Sequence, residues 1–396
     1  MRRAALTVVL AAAAFAPGAG QGLSFTSREA AQVGIVVRDL STGRETVSVN
    51  PDAALTPASI TKCVTAAAIL ASGMTDNRFE TPAYISGAID GGVLDGSVVI
   101  AGKGDPTTAL RSFPRGDGLA DSIALALQRL GVERVTGSIL PDCSYLPAQG
   151  PNERWEICDT EWSYGAGLYA VNYNGNTRGT DLALPDPPEA FAAEVENNLA
   201  ERGITVEWGD EELPVPGSLT ALASHRSADF EEILSRMMTR SDNLFAEAML
   251  RALAPGSTLK ASLAREKELL AELGLDTSRV GLYDGSGLSR NNRFSARFLS
   301  RLLAKMASRP DAARYAALFP LAGRDGTVKK LLRGTRLEGK LALKSGSMTG
   351  VLCYAGYKLD ADNKPTHAIV IMVNSYFCPS AEVRKSIQNF LLKTFQ

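Results

Sequence analysis

Both ends of this chain carry strand-forming text, and that constrains the fold more than any other feature. Val33–Val49 reads as two β-like runs joined by the turn Ser41-Thr42-Gly43. Far along the chain, Leu352–Leu359 and His367–Asn374 read as two more, around the turn Asp360–Lys364. A final helical stretch, Ala381–Phe395, follows. Between them lie helical segments: Ser59–Leu70, rich in Ala, Ile and Val behind Pro57, and later Phe230–Thr239, Leu244–Leu253 and Leu259–Leu273. Strands at both ends are satisfied by one antiparallel sheet that joins them, with helices packed on it. From about Met74 to His225 the text changes. Short β-like pieces such as Gly96–Ala101 alternate with turns, Pro, Gly and Trp become frequent, and a charged, Pro-rich stretch (Asp210–Pro216) closes the segment. The expectation is an α+β chain with a discontinuous domain from residues 21–74 and 226–396, and a large inserted, mainly-β domain over 75–225.

Residues 1–20 stand apart. Arg2 and Arg3 precede an apolar run, Ala4–Ala16, that ends in Pro17-Gly18-Ala19-Gly20. A basic start, a short apolar run and small residues describe a secretory signal peptide. The run is too short to cross a hydrocarbon layer of about 30 Å. An uncleaved anchor is the alternative. No second apolar stretch is long enough to span a bilayer, so any membrane contact is at most peripheral. Export to a periplasm or other extracytoplasmic space makes Cys63, Cys143, Cys158, Cys353 and Cys378 candidates for oxidation. Cys143 with Cys158, and Cys353 with Cys378, are possible pairs, and Cys63 is the choice for a free thiol. Free, buried cysteines throughout are an equal reading.

Composition removes several functions. Lys+Arg is 42 and Asp+Glu is 43, a net charge of -1, so there is no basic footprint for nucleic acid. With only His225 and His367, no His-rich metal site can be written, although sites built from Asp and Glu alone survive. A Ser-His-Asp triad is poorly supplied, and no GxSxG elbow occurs.

A serine nucleophile can instead use a lysine as its base. Ser59-Ile60-Thr61-Lys62 places the two residues on one helical face, a turn apart. Ser59, at the helix start, also offers an unpaired backbone N–H to an oxyanion. Lys62 must be neutral to act, which burial and a second cation promote. SxxK alone is weak, since Ser257-Thr258-Leu259-Lys260 fits it too. Two further patterns decide. Ser241-Asp242-Asn243 sits on a turn entering a helix, and Lys344-Ser345-Gly346-Ser347, just before a β-run, is the only K-[ST]-G in the chain. The order SxxK, SDN, KSG is specific, and Ser257 falls outside it.

That ordered set resembles the penicillin-recognising serine peptidases and β-lactamases. The long gap between Lys62 and Ser241 narrows the resemblance to the D-alanyl-D-alanine carboxypeptidase/endopeptidases of the DacB type, peptidase family S13. Gly102-Lys103-Gly104-Asp105-Pro106 is similar to that family's GxGDP turn, Asp284–Arg290 to its DGSGLSR segment, and Lys344–Tyr357 to its KTG strand. Ser345 stands where Thr is commoner and keeps the hydroxyl.

The resemblance implies a penicillin-binding/serine β-lactamase-like fold, an antiparallel sheet flanked by helices with a helical subdomain. It implies Ser59 as nucleophile, Lys62 as base, Ser241 as proton relay and Asn243 as orienter of the substrate amide. Lys344 and Ser345 would hold the substrate carboxylate, and Gly346 and Ser347 would line the strand edge, with the Ser347 N–H completing the oxyanion site. Arg290, Met348, Asp159 and Tyr164 would contact the peptidoglycan side chain, although surface ion-pair, core and turn duties are open for them. No cofactor or metal is implied. Peptidoglycan stem peptides are the implied substrate and β-lactam antibiotics the covalent inhibitors. A β-lactamase of the same superfamily and a non-catalytic peptidoglycan-binding protein are the alternatives. No Leu-Asn dipeptide exists for an E-x-x-L-N deacylating motif, and binding alone needs no nucleophile–base pair.

Overall fold

The computed structural model describes residues 22–116, 118–209 and 212–396. The expected signal peptide therefore lies outside the described residues. The two chain ends meet in one sheet. Strands β1 (Gln32–Asp39) and β2 (Glu45–Val49) form the expected N-terminal hairpin. Three C-terminal strands, Leu341–Met348, Val351–Leu359 and Pro365–Asn374, join it in the order 341–348, 351–359, 365–374, β1, β2, antiparallel throughout. The junction of the two ends is β1 against 365–374, in register from Gln32↔Asn374 to Asp39↔His367.

Both faces of this sheet are covered, which is why its central strands read as unbroken apolar runs rather than alternating ones. Along 365–374, Ala368, Val370 and Met372 join one core, and Ile369, Ile371 and Val373 the other. The second core is closed by the C-terminal helix Ser380–Thr394 through Val383, Ile387, Phe390 and Leu391. The first packs on α1 (Lys62–Ala71), a nine-tenths-buried helix of small and branched residues, and on the helices that follow the middle region.

The chain leaves the sheet-and-helix body through β3 (Arg78–Ser86) and returns through β4 (Leu219–Asp229). These strands pair antiparallel, Ser86 opposite Leu219 and Arg78 opposite Asp229, so exit and re-entry lie side by side. Val98–Ala101 and Ile139–Asp142 complete a four-stranded sheet, the last pair parallel. The sequence reading missed two helices here, α2 (Leu119–Arg129) and α3 (Pro187–Ala200). Their Ile123, Leu127, Phe191, Val195 and Leu199 cover this sheet and make a third core. Pro at the first position of α3, after the Asp186 cap, was a start signal hidden in a Pro-rich stretch.

After β4 come α4 (Phe230–Arg240), α5 (Asn243–Ala252) and α6 (Leu259–Glu272), near their expected bounds. The first two are capped by Asp229 and Asp242 accepting from backbone N–H groups of the first turn. All five cysteines are free thiols; neither suggested disulfide forms, and Cys63 and Cys353 are buried.

Glu266 of α6 is fully buried, and neither carboxylate oxygen has a partner. Burial pushes its carboxyl up to about 8 from 4.5. With a folded value above the unfolded one, its favourable balance holds below pH 4.5 and is lost as pH rises toward 8. Unfolding free energy should therefore fall by up to about 1.4 kcal/mol per pH unit on this account. Glu266→Gln should remove that increment, read by urea denaturation at several pH values across the window. An unchanged pH slope would refute the assignment.

Candidate active site

The Ser59–Lys62 spacing works through a tight turn. Ala58–Thr61 is a 3₁₀ turn leading into α1, rather than the first turn of the α-helix itself. In such a turn side chains three apart eclipse one another, which stacks Ser59 over Lys62. Lys62 Nζ lies 3.1 Å from Ser59 Oγ. Lys62 is 0% exposed, while Ser59 is only half-buried and lines an open cleft. The turn is entered at Ala58 with φ +50°, a left-handed conformation that costs a non-glycine residue about 1–3 kcal/mol. Gly287 is packed against that bend: a Cβ there would stand 2.0 Å from the Ala58 carbonyl oxygen.

Lys62 Nζ also donates to Asn243 Oδ1 at 2.6 Å and to the Ser286 carbonyl oxygen at 2.6 Å. Asn243 opens α5, directly after the α4–α5 corner where Ser241 takes φ +62°. Its Nδ2 donates to the Tyr164 carbonyl at 2.8 Å, which ties the corner to the middle region. The Ser286 contact has no signal in the sequence, because a main-chain acceptor offers no side chain to read.

Lys344 lies within the strand 341–348, where the sequence reading had put it just before a strand. That strand is an edge of the five-stranded sheet. Lys344 Nζ donates to Ser241 Oγ at 2.8 Å and to the Ser345 carbonyl at 2.7 Å. Its side chain is 0% exposed and lies behind Ser241 and Ser345, which line the cleft. Gly346 is the close-approach residue: a Cβ would sit 2.7 Å from the Pro57 carbonyl oxygen and 2.9 Å from the Ser59 nitrogen. Only glycine lets this strand touch the Ser59 turn.

Burial, the larger cause, lowers Lys62 to about 8 from 10.5, against the opposing pull of Asp284, Glu247 and Asp242. Lys344 is held well below its usual range, again by burial first and then by the Lys62 charge. Neither amine has a carboxylate within hydrogen-bonding reach among the described residues; every oxygen they touch is neutral. The pair is thus placed so that both amines cannot comfortably stay charged.

A cleft of about 400 Å³ opens over these groups, lined by Ser59, Tyr164, Ser241, Asn243, Ser345 and Ser347, among others. Arg290, Met348 and Asp159 also line it, whereas Gly346 lies beneath its wall. Arg290 faces Glu156 at 3.9 Å and donates to the Thr349 carbonyl at 3.4 Å, and Asp159 accepts from the Tyr164 hydroxyl at 2.9 Å. Thr327 and Arg384 line the cleft without having been foreseen. Thr327 Oγ1 is 2.6 Å from Ser345 Oγ, so the two hydroxyls form one polar patch. Neither residue belongs to a short motif. The Ser59 N–H has no backbone partner among the described residues. A larger hollow, about 700 Å³, is lined by Trp155, Leu263, Tyr283 and Arg251, among others; Ser59, Lys62, Ser241 and Lys344 are not part of its lining.

The model of the D-Ala-D-Ala carboxypeptidase 3 (S13) family matches residues 25–183 and 170–393. The chain is 27% identical, over 427 aligned residues, to a D-alanyl-D-alanine carboxypeptidase of Actinomadura sp. (strain R39), covering 86% of this chain and 78% of that protein. The crystal structure of penicillin binding protein 4 (dacB) from Haemophilus influenzae is similar with a TM-score of 0.81 at 22% identity, over 93% of this chain and 97% of that one. The same protein complexed with a novel β-lactam gives 0.73. At that identity the structural likeness speaks for the fold, and the family match speaks for descent: the chain belongs to the D-Ala-D-Ala carboxypeptidase 3 (S13) family of peptidases.

Proposed function

We propose that this protein is a serine D-alanyl-D-alanine carboxypeptidase/endopeptidase that acts on peptidoglycan stem peptides through an acyl-enzyme at Ser59. The observation that carries the reading is the environment of the Lys62 amine, 3.1 Å from the Ser59 hydroxyl and held by two further oxygens. A neutral amine has two hydrogens and one lone pair, an ammonium three hydrogens and none. With Asn243 Oδ1 and the Ser286 carbonyl taking the two hydrogens, the lone pair falls on the Ser59 O–H. That is the geometry of a general base.

In the reaction, Ser59 Oγ attacks the carbonyl of the penultimate D-Ala while its proton passes to Lys62. The oxyanion is received by the N–H groups of Ser59 and Ser347, a contribution of roughly 3–4 kcal/mol per donor in comparable sites. The C–N bond breaks as the Ser241 hydroxyl, bonded to Lys344, protonates the leaving amine, and the proton that Lys62 had taken makes good that loss, so Lys62 is neutral again. Water then attacks the ester with Lys62 accepting its proton, and Lys62 returns that proton to Ser59 Oγ as the ester C–O bond breaks, which regenerates Ser59. The leaving amine is the last D-Ala or the amine of a cross-link. The hydroxyls of Ser345 and Thr327 and the half-buried Arg290 are the cleft's means of receiving the substrate carboxylate and side chain. β-Lactams, which present a strained amide and a carboxylate, would be trapped as esters of Ser59. Such a substrate lies outside the cytoplasm, consistent with the signal-like residues 1–20; among the described residues no helix is long and apolar enough to cross a membrane.

Intact mass spectrometry after benzylpenicillin treatment should show addition of one whole drug molecule, mapped to the Ser59 peptide, and D-Ala should be released from a D-Ala-D-Ala peptide. Ser59→Ala should lose both. Rapid drug turnover with an inert peptide would reverse the ranking in favour of a β-lactamase, and folded protein that does neither would leave only a binding role.

Lys62→Ala should lower the acylation rate by about 10²–10⁴-fold while non-covalent binding persists. In the unaltered protein that rate should climb with pH through the Lys62 value near 8, because only the neutral amine can accept the proton. Stopped-flow acylation against pH checks both, and a flat profile would sink the base assignment. Gly346→Ala should slow acylation and destabilise the fold by about 1–3 kcal/mol, because the strand must back away from the Ser59 turn. Thermal melting and D-Ala release check this.

A further inference from the structure

Lys62 can act as a base only if its two hydrogens are held elsewhere. One acceptor, Asn243, is a side chain on α5, but the other is a main-chain carbonyl in the loop 284–290. That loop must be immobilised relative to α5, or the lone pair wanders off Ser59. Two buried carboxylates hold it, with separate duties. Asp284 closes the loop on itself and on the middle region. It accepts from the N–H groups of Gly287 (2.8 Å) and Ser289 (2.6 Å), from Asn292 Nδ2 (2.7 Å) and from the Trp155 indole (2.8 Å). Glu247 ties the loop to α5: its Oε1 accepts from the N–H groups of Gly285 (3.1 Å) and Ser286 (2.9 Å).

Glu247 stands four residues after Asn243 on α5, so the two side chains share a face, one turn apart. One helix face thereby carries both halves of the Lys62 cradle. The loop is pressed onto that face, since a Cβ at Gly285 would meet the Ala246 carbonyl oxygen at 2.6 Å and Leu250 Cβ at 2.9 Å.

We propose that Glu247 is a positioning residue for the general base: by clamping the Gly285 and Ser286 amides it fixes the Ser286 carbonyl that, with Asn243, aims the Lys62 lone pair at Ser59. This rests on the acyl-enzyme reading above. Glu247 touches neither Ser59 nor Lys62 by a hydrogen bond, so it acts through the loop and through its charge. Its charge matters because the region is crowded and dry. Lys62 faces Asp284 of the loop, Glu247 of α5, Asp242 at the cap of α5, Cys63 of its own helix and Lys344 of the edge strand. Glu247 faces Asp284, Glu266 of α6 and Arg251 farther along α5. Burial, reinforced by Asp284, lifts the Glu247 carboxyl to about 7. When ionised it pulls the Lys62 value upward; removing that charge should let Lys62 lose its proton at lower pH.

The test uses the full chain with Glu247→Gln, whose amide oxygen can still accept both N–H groups, and Glu247→Ala, which cannot. Benzylpenicillin acylation is followed by stopped flow from acid to alkaline pH, and the Lys62 amine is titrated by carbon-13 NMR of labelled lysine. The alanine variant, shown to be folded by its melting curve, should acylate roughly a hundredfold more slowly at every pH, as a small misplacement of reacting groups does. The glutamine variant should recover most of that rate. Its acid limb and its Lys62 midpoint should both move down by roughly one pH unit. A folded alanine variant with the unaltered rate overturns the proposal. So does a glutamine variant whose Lys62 midpoint and acid limb stay where they were, and that variant decides the matter alone if the alanine protein does not fold. If the unaltered protein is not acylated at all, the acyl-enzyme reading fails, while the Lys62 titration still tests the Glu247 charge on its own and the alanine variant's Lys62 midpoint, compared with that of the glutamine variant, still tests the clamp.

Discussion

Two lysine amines, driven out of water without a carboxylate in direct contact, are the interaction on which this molecule turns. Burying an ammonium is expensive unless it is paired, and an ordinary core would pair it or leave it out. Here Lys62 and Lys344 meet only hydroxyl, amide and main-chain oxygens. Those partners solvate an amine well and an ammonium poorly, so proton affinity falls, and a lysine becomes a plausible base near neutral pH. The compensating negative charge of Asp284 and Glu247 is one layer further back, committed to backbone N–H groups. It moderates the cost of the buried amines without quenching them.

Such an arrangement demands close approaches that ordinary residues resist. Ala58 and Ser241 adopt left-handed backbone conformations, and Gly287 and Gly346 let main chain pass where a methyl group would collide. These four positions surround the Ser59–Lys62 pair from the turn, the α4–α5 corner, the loop and the edge strand. Strain concentrated at a site and held by packing elsewhere is the expected signature of pre-organisation. The cores on both faces of the five-stranded sheet supply that packing.

The middle region is more than an appendage. The Tyr164 carbonyl receives Asn243 Nδ2, and the Trp155 indole donates to Asp284, so its 155–164 stretch grips the site from above at two points. Tyr164 and Asp159 also wall the cleft. Side-by-side strands of exit and return, β3 and β4, let this region be carried without opening the sheet that joins the chain ends.

Much of this was written in local residue patterns. Apolar runs at both termini announced a shared sheet, the helical periods around α1, α4, α5 and α6 announced the packing on it, and the order SxxK, SDN, KSG named the side chains Ser59, Lys62, Ser241, Asn243 and Lys344 that the fold gathers. Such signals survive in sequence because they depend on side-chain type and on spacings of a few residues. What only the tertiary structure decided was the rest of the site: the Ser286 carbonyl, Thr327, Arg384, the carboxylate of Glu247 behind the Ser286 loop, and the complete burial of Lys344. A backbone oxygen has no letter of its own, and burial or pairing is a property of what packs opposite, contributed by residues far away in the chain. The helices α2 and α3 were overlooked for a related reason, since their text was obscured by turns and prolines until a sheet gave them something to cover.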